Sequence, residues 1–270
     1  MRILLITKFL PLPADSGGKQ RSAAVLRRLA AVGDVSIAAF DDGSADHGAL
    51  RDLGVTVHAA PRPGLVDTVL GIARTRSITA GRFSSRALRR QVREAVAAAP
   101  VDCLVVAYGQ LAPYAAVVPA RHKVLDLHNV ESALMGSYAE SGGRLAAIAA
   151  RLERRSLRRI ERVALEAYDT ITVVSEVDRH RLPAAHPHVL TCPNGWEPSS
   201  PLPPAVGPVA AFVGLLGWTP NVDAAVWLVE EVWPLVRSAM PEARLLLVGR
   251  DPAPAVLALA SEDITVTGTV

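Results

Sequence analysis

Apolar residues along this chain fall into short unbroken runs separated by longer stretches with a helical period. Arg2-Ile-Leu-Leu-Ile-Thr7 and Cys103-Leu-Val-Val-Ala107 are continuously apolar, as strands covered on both faces must be. Further β-rich runs lie at 34–40, 55–59, 122–127, 169–174 and 188–192, and the run ending at Ala107 begins at 101. Between them, apolar positions recur every three or four residues over 18–32, 65–78, 85–99, 131–138, 143–167 and 176–182, which predicts helices. In 143–167 the residues Leu145, Ile148, Leu152, Ile160 and Val163 share one stripe, expected to be the core face. Strands alternating with helices predict βαβ units on a parallel sheet.

The pattern breaks once. Six prolines fall between Pro193 and Pro208 with no strand or helix period, which reads as a stiff linker over 196–208 after a first domain of 1–195. The alternation restarts over 209–270: strand 209–215, helix 221–239, strand 243–248, helix 252–260, strand 264–267. Three strands make a small sheet, so this second domain reads as incomplete. The expected fold class is α/β with two Rossmann-like parallel sheets.

Composition narrows the class. Half the residues are apolar and a fifth charged, which excludes a disordered chain. Two cysteines, Cys103 and Cys192, exclude a disulfide scaffold or zinc cluster. The net charge of +3 (29 minus 26) does not by itself point to nucleic acid. No uninterrupted apolar stretch is long enough to span a membrane, and the first run is too short for a signal peptide, so a cytoplasmic location is expected.

Candidate chemistry gathers at predicted strand ends. The loop from Lys8 to Gln20 carries Gly17 and Gly18 before a helix, where backbone approaches a ligand closely and an anion is favoured; a plain loop capped by Asp15 or Ser16 explains it as well. Its spacing fits neither a Walker nor a dinucleotide fingerprint. In Asp126-Leu-His-Asn-Val-Glu-Ser132, His128 is placed to donate to a sugar hydroxyl or a developing charge, with Glu131 to orient it and Asn129 beside it; a structural histidine is the alternative. Arg151, Arg155 and Arg159 form one i,i+4 ladder and Arg154, Arg158 and Arg162 the next. Such repulsion is relieved by an anionic membrane surface or by carboxylates from elsewhere on a solvated face. Asn194 follows the last strand in a turn. Gly214, Gly249 and Gly268 repeat a strand-then-glycine arrangement in the second domain. His180, His186 and His188 lack a completing cysteine or carboxylate, so no metal site is expected.

In order, the Ser16-Gly17-Gly18 loop, Leu127-His-Asn-Val-Glu131, Val173-Val-Ser-Glu176, Cys192-Pro-Asn-Gly195, Phe212-Val-Gly-Leu-Leu-Gly-Trp-Thr-Pro-Asn221, Trp233-Pro and Leu247-Val-Gly249 resemble retaining glycosyltransferases of family 4, which have the GT-B fold. The resemblance covers essentially the whole chain. It implies an acceptor-side first domain and a second domain that binds a nucleotide-diphosphate sugar. His128 then contacts the transferred sugar. Gly17, Gly18, Gly214, Trp218, Asn221, Gly249, Arg250, Gly268 and Val270 serve the donor, and Glu131, Asn129, Ser175 and Asn194 support them. It implies no cofactor and no metal, because side chains neutralise the leaving diphosphate. Two departures stand out: Leu215 and Pro220 occupy places where many members carry phosphate-binding Arg and Lys, and the family's Glu-x7-Glu segment would fall after Val270. The rival reading is a non-catalytic GT-B-like binding module or partner subunit.

Overall fold

The structure is a computed structural model that describes residues 1–141, 144–195 and 206–270, with side chains at 138–141 left aside. Most of the proposed linker, 196–205, lies outside the described residues. The chain divides into two compact units, Met1–Trp196 and Glu197–Val270.

In the first unit the elements run β1 (Arg2–Thr7), α1 (Gly17–Ala30), β2 (Asp34–Phe40), α2 (His47–Asp52), β3 (Thr56–Ala60), α3 (Leu65–Thr75), α4 (Ile78–Gly81), α5 (Arg86–Ala98), β4 (Val101–Ala107), a 3-10 helix (Gly109–Val117), β5 (Ala120–Leu127), α6 (Glu131–Ser141), α7 (Arg144–Ala167), β6 (Thr170–Val173), α8 (Glu176–Arg181) and β7 (Val189–Thr191). Seven parallel strands pair in the order β3-β2-β1-β4-β5-β6-β7. Alternate strand residues feed two cores. Leu4, Ile6, Leu104, Val106 and Leu125 pack with Leu88, Val92, Leu111 and Tyr114 on one face, while Ile3, Leu5, Ile37 and Val105 pack with Ala23, Leu26 and Leu50 on the other.

The predicted helix 65–78 is two helices. Arg76 takes a left-handed conformation (φ 54), after which Ser77 caps α4 through Ala80 N–H. Glu153 of α7 completes that cap, accepting from Ser77 Oγ, Ile78 N and Thr79 N. α2 and the 3-10 helix, which contains Pro113, have no counterpart in the periodicity. Most of the stripe expected to face the core on α7 points the other way, with Ile160 half-buried. Leu145, Ile148, Leu152 and Val163 are 85%, 53%, 64% and 58% exposed, and the buried positions are Ala147, Leu157, Glu161, Ala164 and Leu165. Small residues let α7 lie close, and Glu161 is accommodated because Ser132 donates to it from both N (3.0 Å) and Oγ (2.5 Å).

The second unit contains β8 (Val209–Val213), α9 (Thr219–Trp227), a π-helical turn (Leu228–Val232), α10 (Trp233–Ala239), β9 (Arg244–Val248), α11 (Pro254–Leu257) and β10 (Ile264–Gly268). Its parallel sheet has the order β10-β9-β8. The π turn sits where Pro234 removes a donor and its ring presses on the preceding turn, so the predicted single helix 221–239 is divided there. Leu216, Trp233, Leu245, Leu247 and Val256 form its core. Trp233 Nε1 donates to Asp263 Oδ2 at 2.7 Å.

Candidate functional site

Strand order reverses at β1 and β4. The helices that follow these two strands pack on opposite faces, and the carboxyl ends there are left open to a ligand. Arg21 of α1 reaches into this edge. Its Nε and Nη2 donate to Asp126 Oδ2 and Oδ1 at 3.1 and 2.6 Å, a two-pronged contact, and its Nη1 donates to Cys192 O and Asn194 Oδ1 at 2.8 and 3.0 Å. One guanidinium thus ties α1, the end of β5 and the segment after β7 together. Thr172 Oγ1 also donates to Asp126 Oδ1, at 2.6 Å. Burial alone would raise the Asp126 carboxyl; the close His128 and Arg21 outweigh it and hold the group well below the usual carboxylate range.

His128 stands against the same carboxylate, its Nε2 3.2 Å from Asp126 Oδ2, with only 7% of its side chain exposed. The two atoms are close without making an aligned hydrogen bond, so Nε2 is a buried polar atom without a hydrogen-bond partner. Its ring lies on Tyr108, centroids 3.9 Å apart. Tyr108 itself has φ 77, rare for a side chain of this size. Its Oη and the neighbouring Ser22 Oγ are buried without an aligned bond. Burial pushes the Tyr108 hydroxyl well up, with Ser22 opposing the shift. Unpaired buried donors clustered at one strand edge are costly in a protein at rest and useful to one that binds a polyhydroxy ligand.

Of the residues singled out in the sequence, the structure brings Gly17 and Asn194 together with Arg21 and Cys192 around a cavity of about 320 Å³. Gly17 and Gly18 are the first residues of α1, and Ser16 precedes the helix without a side-chain cap bond. A Cβ on Gly18 would meet Tyr108 Oη at 2.6 Å. The carboxylate set against His128 is Asp126; Glu131, 8% exposed, opens α6, and its charge acts on Lys8 instead. Asn129 is exposed. The Ser175 hydroxyl is committed to capping α8, accepting from Asp178 N at 3.1 Å and donating to Asp178 Oδ2 at 2.6 Å.

In the second unit Gly214, Gly249 and Gly268 stand at the carboxyl ends of β8, β9 and β10. A Cβ on Gly249, where φ is 152, would fall 1.7 Å from Gly214 O, so this close approach of two loops admits no side chain. Asn221 Nδ2 donates to Leu215 O at 3.0 Å and closes the loop over Gly214. Trp218 and Val270 are 50% and 90% exposed. Arg250 Nε lies 3.9 Å from Asp251 Oδ2. Packing thus accounts for Gly214, Gly249 and Asn221, while Trp218 remains open to a ligand.

Arg21, Tyr108 and Thr172 were not singled out by the sequence. A signal existed in Val124-Leu-Asp-Leu127, because a carboxylate inside an apolar strand end demands a buried cation. Nothing local named Arg21, 105 residues away, as that cation. Among the described residues no three His, Cys, Asp or Glu side chains come close enough to hold a metal ion, and His180 and His186 bond to the backbone oxygens of Glu176 and Tyr168. No helix among them is long and apolar enough to cross a membrane.

No protein-family model matches the chain, and no curated protein sequence matches it. Solved structures do. The chain is similar to sucrose-phosphate synthase from Thermosynechococcus elongatus at 16% identity and TM-score 0.66, covering 100% of this chain and 71% of that one. It is similar to Arabidopsis thaliana UGT89C1 complexed with UDP-L-rhamnose at 14% identity and TM-score 0.51, covering 99% and 70%. OtsA in its apo form matches at 14% identity and TM-score 0.53, covering 96% and 67%. The fold is that of the GT-B glycosyltransferases.

Proposed function

We propose that the chain is a retaining glycosyltransferase of the family 4 type, moving a sugar from a nucleotide-diphosphate sugar to an acceptor hydroxyl. The observation that carries the reading is the buried His128, backed by Asp126 and Arg21, at the switch point of a GT-B first unit. In the proposed step the bond from the anomeric carbon to the diphosphate oxygen breaks, and its electron pair leaves with the diphosphate. The acceptor oxygen bonds to that carbon on the same face, and its proton passes to a diphosphate oxygen. His128 hydrogen-bonds the transferred sugar through Nε2, and its stacking on Tyr108 holds the imidazole in place. The glycine edge at Gly214, Gly249 and Gly268, with Trp218 and Arg250, receives the nucleotide. No metal or cofactor enters this step.

The outward apolar face of α7, flanked by the exposed Arg151, Arg154, Arg155, Arg158, Arg159 and Arg162, supports peripheral contact with an anionic membrane surface. Leu215 and Pro220, in place of phosphate-binding cations, favour the second reading of a non-catalytic binding module. The test is a mass-spectrometric panel of UDP-, GDP- and dTDP-sugars. The enzyme reading expects consumption of one donor, and His128→Ala is expected to lower turnover about 100-fold with the fold intact. A folded chain that neither binds nor consumes any of these donors supports the module.

A further inference from the structure

A second cavity of the first unit, about 460 Å³, opens where β1, β2 and β3 end. Lys8 and Phe9 follow β1, Phe40 closes β2, Arg62 follows β3, and Arg82 and Phe83 follow α4. The three phenylalanines form apolar walls, with Phe40 and Phe83 ring centroids 6.3 Å apart. Lys8 Nζ rests over two aromatic faces, 4.2 Å from the Tyr108 centroid and 4.8 Å from that of Phe83. Among the described residues no carboxylate comes within ion-pair distance of it; Glu131 acts only through its field. Arg62 is paired with Asp42 at 3.1 Å, and Arg82 is exposed at the rim. Three cations and no carboxylate line the space. Desolvation lowers Lys8 to about 8, against the opposing pull of Glu131, so the amine is still mostly charged at neutral pH. A desolvated ammonium without a counter-ion, at the mouth of an aromatic pocket of ligand size, is matched by an anion attached to an apolar body.

We propose that this cavity is the acceptor subsite and selects acceptors that carry a carboxylate or phosphate on an apolar ring or chain, with Lys8 binding the anion and Phe9, Phe40 and Phe83 packing the body. The inference rests on the glycosyl-transfer reading, since an acceptor exists only if transfer does. The experiment titrates the full chain with benzoate, phenyl phosphate and benzyl alcohol by ligand-observed NMR. It repeats the titrations with Lys8→Met and Phe83→Ala, each checked for folding by circular dichroism, and measures nucleotide-sugar binding in parallel. The acids are expected to bind at least tenfold tighter than the alcohol, and Lys8→Met to remove that preference. A gain for phenyl phosphate over benzoate that is lost in Arg82→Gln identifies phosphate as the anion; equal binding identifies carboxylate. Phe83→Ala is expected to weaken all three probes.

Acids that bind no tighter than benzyl alcohol, or unchanged binding in Lys8→Met, overturn the proposal while leaving nucleotide-sugar binding, and so the transferase reading, standing. Acid binding that depends on Lys8 in a chain that binds no nucleotide sugar overturns the acceptor role itself.

Discussion

Gly17 and Gly18 are neighbours at the start of α1, yet a methyl group has opposite consequences at the two. A Cβ on Gly17 meets nothing within 4 Å, whereas one on Gly18 meets Tyr108 Oη at 2.6 Å and Phe9 Cζ at 3.2 Å. Gly17→Ala should raise the melting temperature slightly, by up to about 1 kcal/mol of stability, because the unfolded chain loses freedom. Gly18→Ala should lower it by a comparable amount through overpacking. Adding Tyr108→Phe should restore part of the loss, since the offending hydroxyl makes no well-aligned hydrogen bond. Thermal melts of the three variants check this. Lys8 offers a second test with a defined sign. Its folded value, about 8, is below the ordinary 10.5, so below pH 8 the fold carries the full cost of a desolvated ammonium. Lys8→Met should therefore stabilise the protein at pH 7 by up to about 3 kcal/mol, and the gain should fade between pH 8 and 10.5 as the folded amine loses its proton first. Denaturant titrations at pH 7 and pH 10 measure it. At this scale the sequence was least informative: His128 and the carboxylate Asp126 two residues before it stand in one legible strand end, but the cation Arg21 that pairs with Asp126 lies 105 residues away.

Among the elements, α7 diverges most from its pattern. Periodicity locates a helix there, and it is there, but the core takes a different set of positions: Leu157 and Leu165, the small Ala147 and Ala164, and a satisfied Glu161. The result is an outward band of Leu145, Ile148 and Leu152 beside six exposed arginines. The neighbouring α3 and α4 add exposed Leu65, Val66, Val69, Leu70 and Ile78. Flotation with vesicles containing anionic lipid should recover the protein at low salt and lose it as salt rises. Arg154→Glu with Arg158→Glu should abolish recovery, and so should Leu145→Glu with Leu152→Glu. Equal recovery on neutral vesicles would leave the arginines as an ordinary solvated face. Strands were more legible than helices because continuous apolar runs leave no choice of face, and β1, β2 and β4 have the expected bounds. The left-handed Arg76 that divides α3 from α4 had no glycine or proline to announce it.

Across the whole molecule, each unit has its own core, and the two differ in size. The first sheet is sandwiched by two extensive clusters, the second by a single small one built on Leu216, Trp233, Leu245 and Leu247. Amides of β9 should therefore exchange with solvent faster than those of the central β1 and β4, a difference that hydrogen-exchange mass spectrometry reads directly. The parallel α/β class and the restart of the alternation near 209 were legible from periodicity, since a switch of period survives any uncertainty in pairing. The strand order, and with it the meeting of β1 with β4 that creates the site, was not written in any local pattern. The chain has only two thiols. Cys103 is half-buried in β4, where burial, followed by the charge of Asp102, raises its pKa and slows its reaction. Cys192 is exposed and lines the cavity beside Arg21 and Asn194. A thiol-directed fluorophore on the native protein will attach at that one position, and ligands that settle against α1 will slow its attachment or shift its emission, so the molecule carries its own optical gauge of occupancy.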